Sequence, residues 1–184
     1  GPVSVELPID VQEAEVNLPA DLGMSPIEVP IPSPEAIDAL AEVLVFARRP
    51  MLWLGGGARH AGAEVRRLLD LGFGAVTSVQ GRGIIAEGHP RSLGSFNLQP
   101  AIEEFYDTCD AMIVVGSRLR GNETLKYTLR LPRPLYGIDA DPMAENRSYL
   151  HDRFVAGDAA LALDELANRL DGRMKIDPEL AGDL

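Results

Sequence analysis

Met51-Leu52-Trp53-Leu54-Gly55-Gly56-Gly57-Ala58 decides the reading of this chain. Four consecutive apolar residues, stopped by three glycines, are the pattern of a short strand buried on both faces. Glycines directly after such a strand turn the backbone tightly and, at the positive end of a following helix, let it approach a phosphate. A ligand-free turn uses the same residues, so both roles are open at this point. The dinucleotide fingerprint places a third glycine at position 60, where this chain has His60. Its acidic ribose partner, about 20 residues on, is also missing: Thr77, Ser78 and Gln80 stand there.

Upstream of the strand, Ser33 suits an N-cap and Pro34 a first helical position. Ile37, Leu40, Leu44 and Ala47 then recur at helical spacing, with Val43 and Phe46 widening the buried face until Pro50 ends the helix. Downstream, Ala61, Val65, Leu68, Leu69 and Gly72 mark a second helix, and Ala75–Val79 a second strand. A third helix begins near Pro100, with Ile102, Phe105, Tyr106 and Cys109 on one face. Ala111–Val115 is the third strand, Asn122–Leu129 a short helix, Leu135–Ile138 the fourth strand and Arg153–Val155 the fifth. Asp158 caps a last helix bearing Leu163, Leu166, Ala167 and Leu170. The alternation predicts a doubly wound α/β fold: a mainly parallel sheet of five to six strands, helices on both faces, three layers.

The leading segment is of different material. Between Gly1 and Ala47 there are nine carboxylates and no basic residue, whereas the whole 184-residue chain carries −11. Six prolines lie from Pro8 to Pro34, which predicts an extended, irregular linker. Val3–Leu7 reads as a short strand by alternation, with no partner strand near it in sequence. No basic face suggests a nucleic-acid partner, and no apolar run reaches the roughly 20 residues of a membrane span. One cysteine, Cys109, excludes an internal disulfide and leaves the cytoplasm as the expected compartment.

Strand ends supply the candidate ligand contacts, because doubly wound sheets bind ligands at their carboxyl edge. Gly56 and Gly57 follow the first strand, Gly116 and Arg118 the third, Asp139 the fourth and Asp158 the fifth. Arg118 could pair with a phosphate, and Asp139 or Asp158 could accept from ribose or adenine. Each also has a plain structural role: Asp158 as a helix cap, Arg118 as a surface residue. His60, His89 and His151 have no metal-ligand spacing. Cys109 reads as packed rather than nucleophilic. No catalytic residue is expected in this chain.

Taken in order, several segments resemble thiamine-diphosphate-dependent enzymes of the acetohydroxyacid synthase type. Gly1-Pro2-Val3-Ser4-Val5-Glu6-Leu7-Pro8-Ile9-Asp10-Val11-Gln12 resembles the closing strand of their pyrimidine-binding domain. Arg48-Arg49-Pro50 and the glycine stretch after it look like the first central-domain strand and turn. Gly83-Ile84-Ile85-Ala86-Glu87-Gly88-His89-Pro90 followed by Leu93-Gly94, Cys109-Asp110-Ala111-Met112-Ile113-Val114-Val115-Gly116-Ser117-Arg118-Leu119, Ile138-Asp139-Ala140-Asp141-Pro142 and Val155-Ala156-Gly157-Asp158-Ala159 resemble later segments.

The resemblance implies residues 1–12 as the tail of a pyrimidine-binding domain and 13–33 as a proline-rich acidic linker. It implies 34–172 as a central Rossmann-like domain and 173–184 as a linker toward a diphosphate-binding domain. It further implies decarboxylation or carboligation of 2-oxo acids, with thiamine diphosphate and Mg2+ held by flanking domains at a subunit interface of a homo-oligomer. The central domain alone would then be inactive. By resemblance its strand ends hold FAD or ADP, through Gly56, Gly57, Gly116, Arg118, Asp139 and Asp158. A free-standing nucleotide-binding oxidoreductase or a regulatory domain is the alternative.

Overall fold

The computed structural model describes residues 4–17 and 28–184. Ser33 caps the next helix as expected, its hydroxyl accepting the Ala36 N–H at 3.3 Å, while residues 18–27 of the expected linker lie outside the described residues. Helix α2 (Pro34–Leu44) follows and buries Ile37, Leu40, Ala41 and Leu44; the shorter α1 (Ile9–Gln12) precedes it and buries nothing. Phe46 is 82% exposed, against the expected burial. The helix stops at Leu44, so Phe46 has left the helical period that would have carried it inward.

Five strands form one parallel sheet in the order β2-β1-β3-β4-β5. They are β1 (Pro50–Leu54), β2 (Gly74–Thr77), β3 (Ala111–Val115), β4 (Leu135–Asp139) and β5 (Arg153–Ala156). Side chains alternate across the sheet with period two, producing two cores. Leu52, Leu54, Ile113, Val115, Ile138 and Val155 pack with α2, α3 (Gly62–Asp70) and α5 (Ala159–Leu170). Met51, Trp53, Val76, Met112, Val114 and Leu135 pack on the other face, where α4 (Pro100–Tyr106) contributes Tyr106 and irregular chain contributes Leu119, Leu129 and Leu131. The layers are three and the winding is double, with helices concentrated on the first face. Each of the fully buried leucines of α5, such as Leu163 and Leu166, stabilises the fold by about 1.5–3 kcal/mol.

Several expected elements differ. Residues 4–7, within the expected Val3–Leu7 strand, form no strand, and Val3 lies outside the described residues; an extended segment without a hydrogen-bonding neighbour has nothing to hold it as a strand. Strand β2 stops at Thr77 because Ser78 caps a 3-10 turn, Val79–Gly81, by accepting the Gly81 N–H at 3.1 Å, leaving Val79 exposed. No helix spans Asn122–Leu129. Leu125, Lys126 and Tyr127 have φ of 50, 57 and 69°, and consecutive left-handed residues cannot continue a right-handed helix. Cys109 lies past the end of α4, still packed in the second core. Burial pushes its thiol up to about 11, which keeps it protonated.

The segment expected as a linker after residue 172 is fastened to the amino edge of the sheet. Asp177 donates its N–H to the Arg48 carbonyl at 2.8 Å. The Arg49 guanidinium meets Asp177 at 3.0 Å and Asp183 at 2.7 Å. Leu180, opening α6 (Leu180–Asp183), is fully buried. The carboxyl edge is thereby left to the loops described next.

Candidate functional site

In this strand order the chain passes from β1 to β2, then returns across β1 to β3, so the winding reverses between β1 and β3. A crevice opens at such a point because the loops leave in opposite directions. Here those loops are backbone against backbone. Gly55 donates to the Val115 carbonyl at 2.8 Å and Gly57 to the Gly116 carbonyl at 2.9 Å. A Cβ on Gly55 would be driven into the Gly116 carbonyl oxygen and lie 2.5 Å from Ser117 Cβ. Gly116 itself has φ +58°, and a Cβ there would lie 2.6 Å from the Ala58 nitrogen. The glycines are therefore required first by the meeting of two loops, and Gly57 spends its amide on that meeting.

The next helix lies where Ala61, Val65, Leu68 and Leu69 placed it, but not directly against the glycines. Gly56–Ala58 form a 3-10 turn, and α3 does not start until Gly62, so the glycine turn does not open directly into its positive end. What faces the crevice instead is side-chain charge. A cleft of about 460 Å³ is lined by Gly56, Gly57, Gly116 and Arg118, four of the six residues expected. Arg59, Ser78, Gln80 and Ser117 line it too, with Arg120, Asn122 and Glu123 on the far side. Arg59 is held by Gln80, its Nε donating to the carbonyl at 2.8 Å and Nη2 to Oε1 at 3.1 Å. Ser78 and Gln80 thus occupy the site where an acidic ribose partner was missing. Arg59 and Arg120 lie two residues from the glycine turn and from Arg118, a spacing that could have flagged them.

Asp139 and Asp158 do not line this cleft. The Asp139 carboxylate accepts the Asp141 N–H at 2.9 Å, closing the turn after β4. Asp158 caps α5, accepting from Ala160 at 2.9 Å and Leu161 at 3.1 Å, and its other oxygen meets His60 Nε2 at 2.7 Å. Burial works against its ionised form, yet the Leu161 amide, His60 and the Ala160 amide outweigh it and hold the carboxyl below the ordinary aspartate range. His60, standing where the fingerprint glycine was absent, clamps the β1 loop to the start of α5. Among the described residues no group of three or more His, Cys, Asp or Glu is placed to hold a metal ion.

A parallel, doubly wound sheet with a glycine-walled, arginine-rich crevice at its winding reversal is a Rossmann-like α/β domain. The chain belongs to the thiamine pyrophosphate enzymes: the family model described as "Thiamine pyrophosphate enzyme, central domain" matches residues 37–166. It is 33% identical over 172 residues to the probable 2-ketoarginine decarboxylase of Pseudomonas aeruginosa, covering 92% of this chain and 31% of that protein. It is 30% identical over 185 residues to the probable acetolactate synthase large subunit of Methanococcus aeolicus, covering 93% and 31%. A solved chain from Mycobacterium smegmatis described as a thiamin diphosphate-dependent enzyme shares the fold, with a TM-score of 0.63 at 24% identity over 82% of this chain and 31% of that one. This chain therefore spans about three-tenths of the length of these relatives. No helix among the described residues is long and apolar enough to cross a membrane.

Proposed function

We propose that this chain is the central domain of a thiamine-diphosphate- and magnesium-dependent enzyme acting on 2-oxo acids, acetolactate-synthase-like, and that its crevice holds the diphosphate of FAD or ADP. The observation that carries the second half is the cleft between the β1 and β3 loops. Three arginines, Arg59, Arg118 and Arg120, converge there against one carboxylate, Glu123, in a chain whose net charge is −11. Guanidinium groups with backbone approaching closely suit a diphosphate. The first half is supported by relatives named as a 2-ketoarginine decarboxylase and as acetolactate synthases.

Among the described residues no three or more His, Cys, Asp or Glu gather to hold magnesium. Magnesium and thiamine diphosphate then belong to flanking pyrimidine- and diphosphate-binding domains within a cytoplasmic homo-oligomer, and this domain has a holding and spacing role without catalytic residues. Calorimetric titration with ADP and with FAD tests it, alongside assay of CO2 release from pyruvate with thiamine diphosphate and Mg2+. Saturable one-to-one binding of at least one nucleotide and no CO2 release are expected. Failure of both nucleotides to bind overturns the nucleotide reading, and thiamine-dependent CO2 release by this chain alone overturns the division of labour.

A further inference from the structure

We propose that the nucleotide cleft continues past Arg118 into a second anion subsite, so that its ligand carries a phosphate on the ribose as well as the 5′ diphosphate. This rests on the nucleotide reading of the first cleft. An adjoining cleft of about 480 Å³ shares Arg118, Arg120 and Asn122 with the first and adds Arg147, Tyr127 and Ser148. No carboxylate lines it.

The arginines are placed by the backbone. Leu119 is buried in the second core with φ 44°, and the residues on either side of it, Arg118 and Arg120, are exposed. Ser148 ties the loop carrying Arg147 to this segment, its hydroxyl donating to the Arg118 carbonyl at 2.7 Å. The same loop is closed on itself by Asn146 and His151, which exchange two hydrogen bonds of 3.1 and 2.7 Å. Among the described residues Arg120 and Arg147 have no ion-pair partner, and the nearest carboxylate to Arg118 is Asp141, at 4.0 Å.

Converging cations raise one another's energy unless an anion sits between them. Where this chain gathers carboxylates around an arginine the charge is neutralised: Arg130 meets Glu103 and Asp107, and Arg169 meets Asp38 and Glu165. Arg120 and Arg147, without an ion pair, and Arg118, whose one carboxylate neighbour stands 4.0 Å away, are thus a site complementary to a dianion. The first cleft, next door, takes the diphosphate, and a ribose 2′- or 3′-phosphate is the anion a nucleotide would extend this way.

Calorimetry at fixed ionic strength with ADP, ATP, 3′-phosphoadenosine 5′-diphosphate and its 2′-phosphate isomer tests the proposal. One of the two ribose-phosphorylated ligands is expected to bind about tenfold more tightly than ADP, equivalent to about 1.4 kcal/mol. ATP, with the same three phosphates in one line, should not match it, and Arg147→Ala should erase the margin. Equal binding of all four ligands, or an equal gain for ATP, overturns the second subsite while the nucleotide reading stands. No binding of any of them overturns both.

Discussion

Replacing Gly55 by alanine lowers the unfolding midpoint by on the order of 10 °C. The added methyl group would meet the Gly116 carbonyl and Ser117 Cβ, which belong to the neighbouring loop's backbone and its first side-chain carbon. Neither is the free end of a flexible side chain, so relief requires moving β1 and β3 apart where Gly55 and Val115 share a hydrogen bond of 2.8 Å. Overpacking of this kind costs about 1–3 kcal/mol, and more where backbone must shift. For a chain of this size each kcal/mol moves the midpoint by about 2–4 °C. Gly88→Ala is the comparison, because a Cβ there meets nothing within 4 Å and its backbone is not left-handed. Its stability should stay within about 0.5 kcal/mol of the parent, a shift of about 2 °C or less. Calorimetric melting of both variants decides the matter: equal shifts would mean that the β1 and β3 loops are not in backbone contact.

Asp158→Ala should cost about 2 kcal/mol at neutral pH and leave acid stability nearly unaltered. The carboxylate satisfies two amides at the start of α5 and holds His60, so truncation removes a cap and a charge-assisted hydrogen bond together. Its folded pKa lies below the ordinary value, held there against burial by the Leu161 amide, His60 and the Ala160 amide. A depressed carboxylate contributes fully above the unfolded value of about 3.9 and loses that contribution as pH falls through the folded value. Urea midpoints for parent and variant should therefore be well separated at pH 7 and converge below about pH 4. A separation that persists undiminished at acid pH would show that the charge of Asp158 is not what stabilises α5.

Much of this architecture was legible because burial on both faces leaves a simple mark. Met51–Leu54 and Ala111–Val115 could hardly be anything but interior strands, and their parallel pairing follows from the helices between them. Ser33 and Asp158 declared their helices through chemistry local to a few residues. What stayed hidden depends on contacts distant in sequence or on backbone conformations without a residue signature. Leu125, Lys126 and Tyr127 look helical, but the segment leaves the helical path with Leu129 and Leu131 set into the second core. The glycine turn was located correctly, yet its mate is Gly116, 61 positions away from Gly55. Asp139 and Asp158 share the carboxyl edge with the cleft, but local hydrogen bonds to their own loops take them out of it. Arg59 and Arg120 stand two residues from Gly57 and Arg118, but their sharing of one cleft depends on the meeting of the two loops.

The proposed nucleotide crevice of this thiamine pyrophosphate enzyme domain lies where the winding reverses, and an amide-resolved NMR titration with ADP locates the binding residue by residue. Shifts concentrated at Gly56, Gly57, Ser78, Gln80 and the Gly116–Asn122 segment are the predicted result. Shifts centred on Arg49, Asp110 and Leu180 at the opposite edge, or none at saturating ADP, would contradict it.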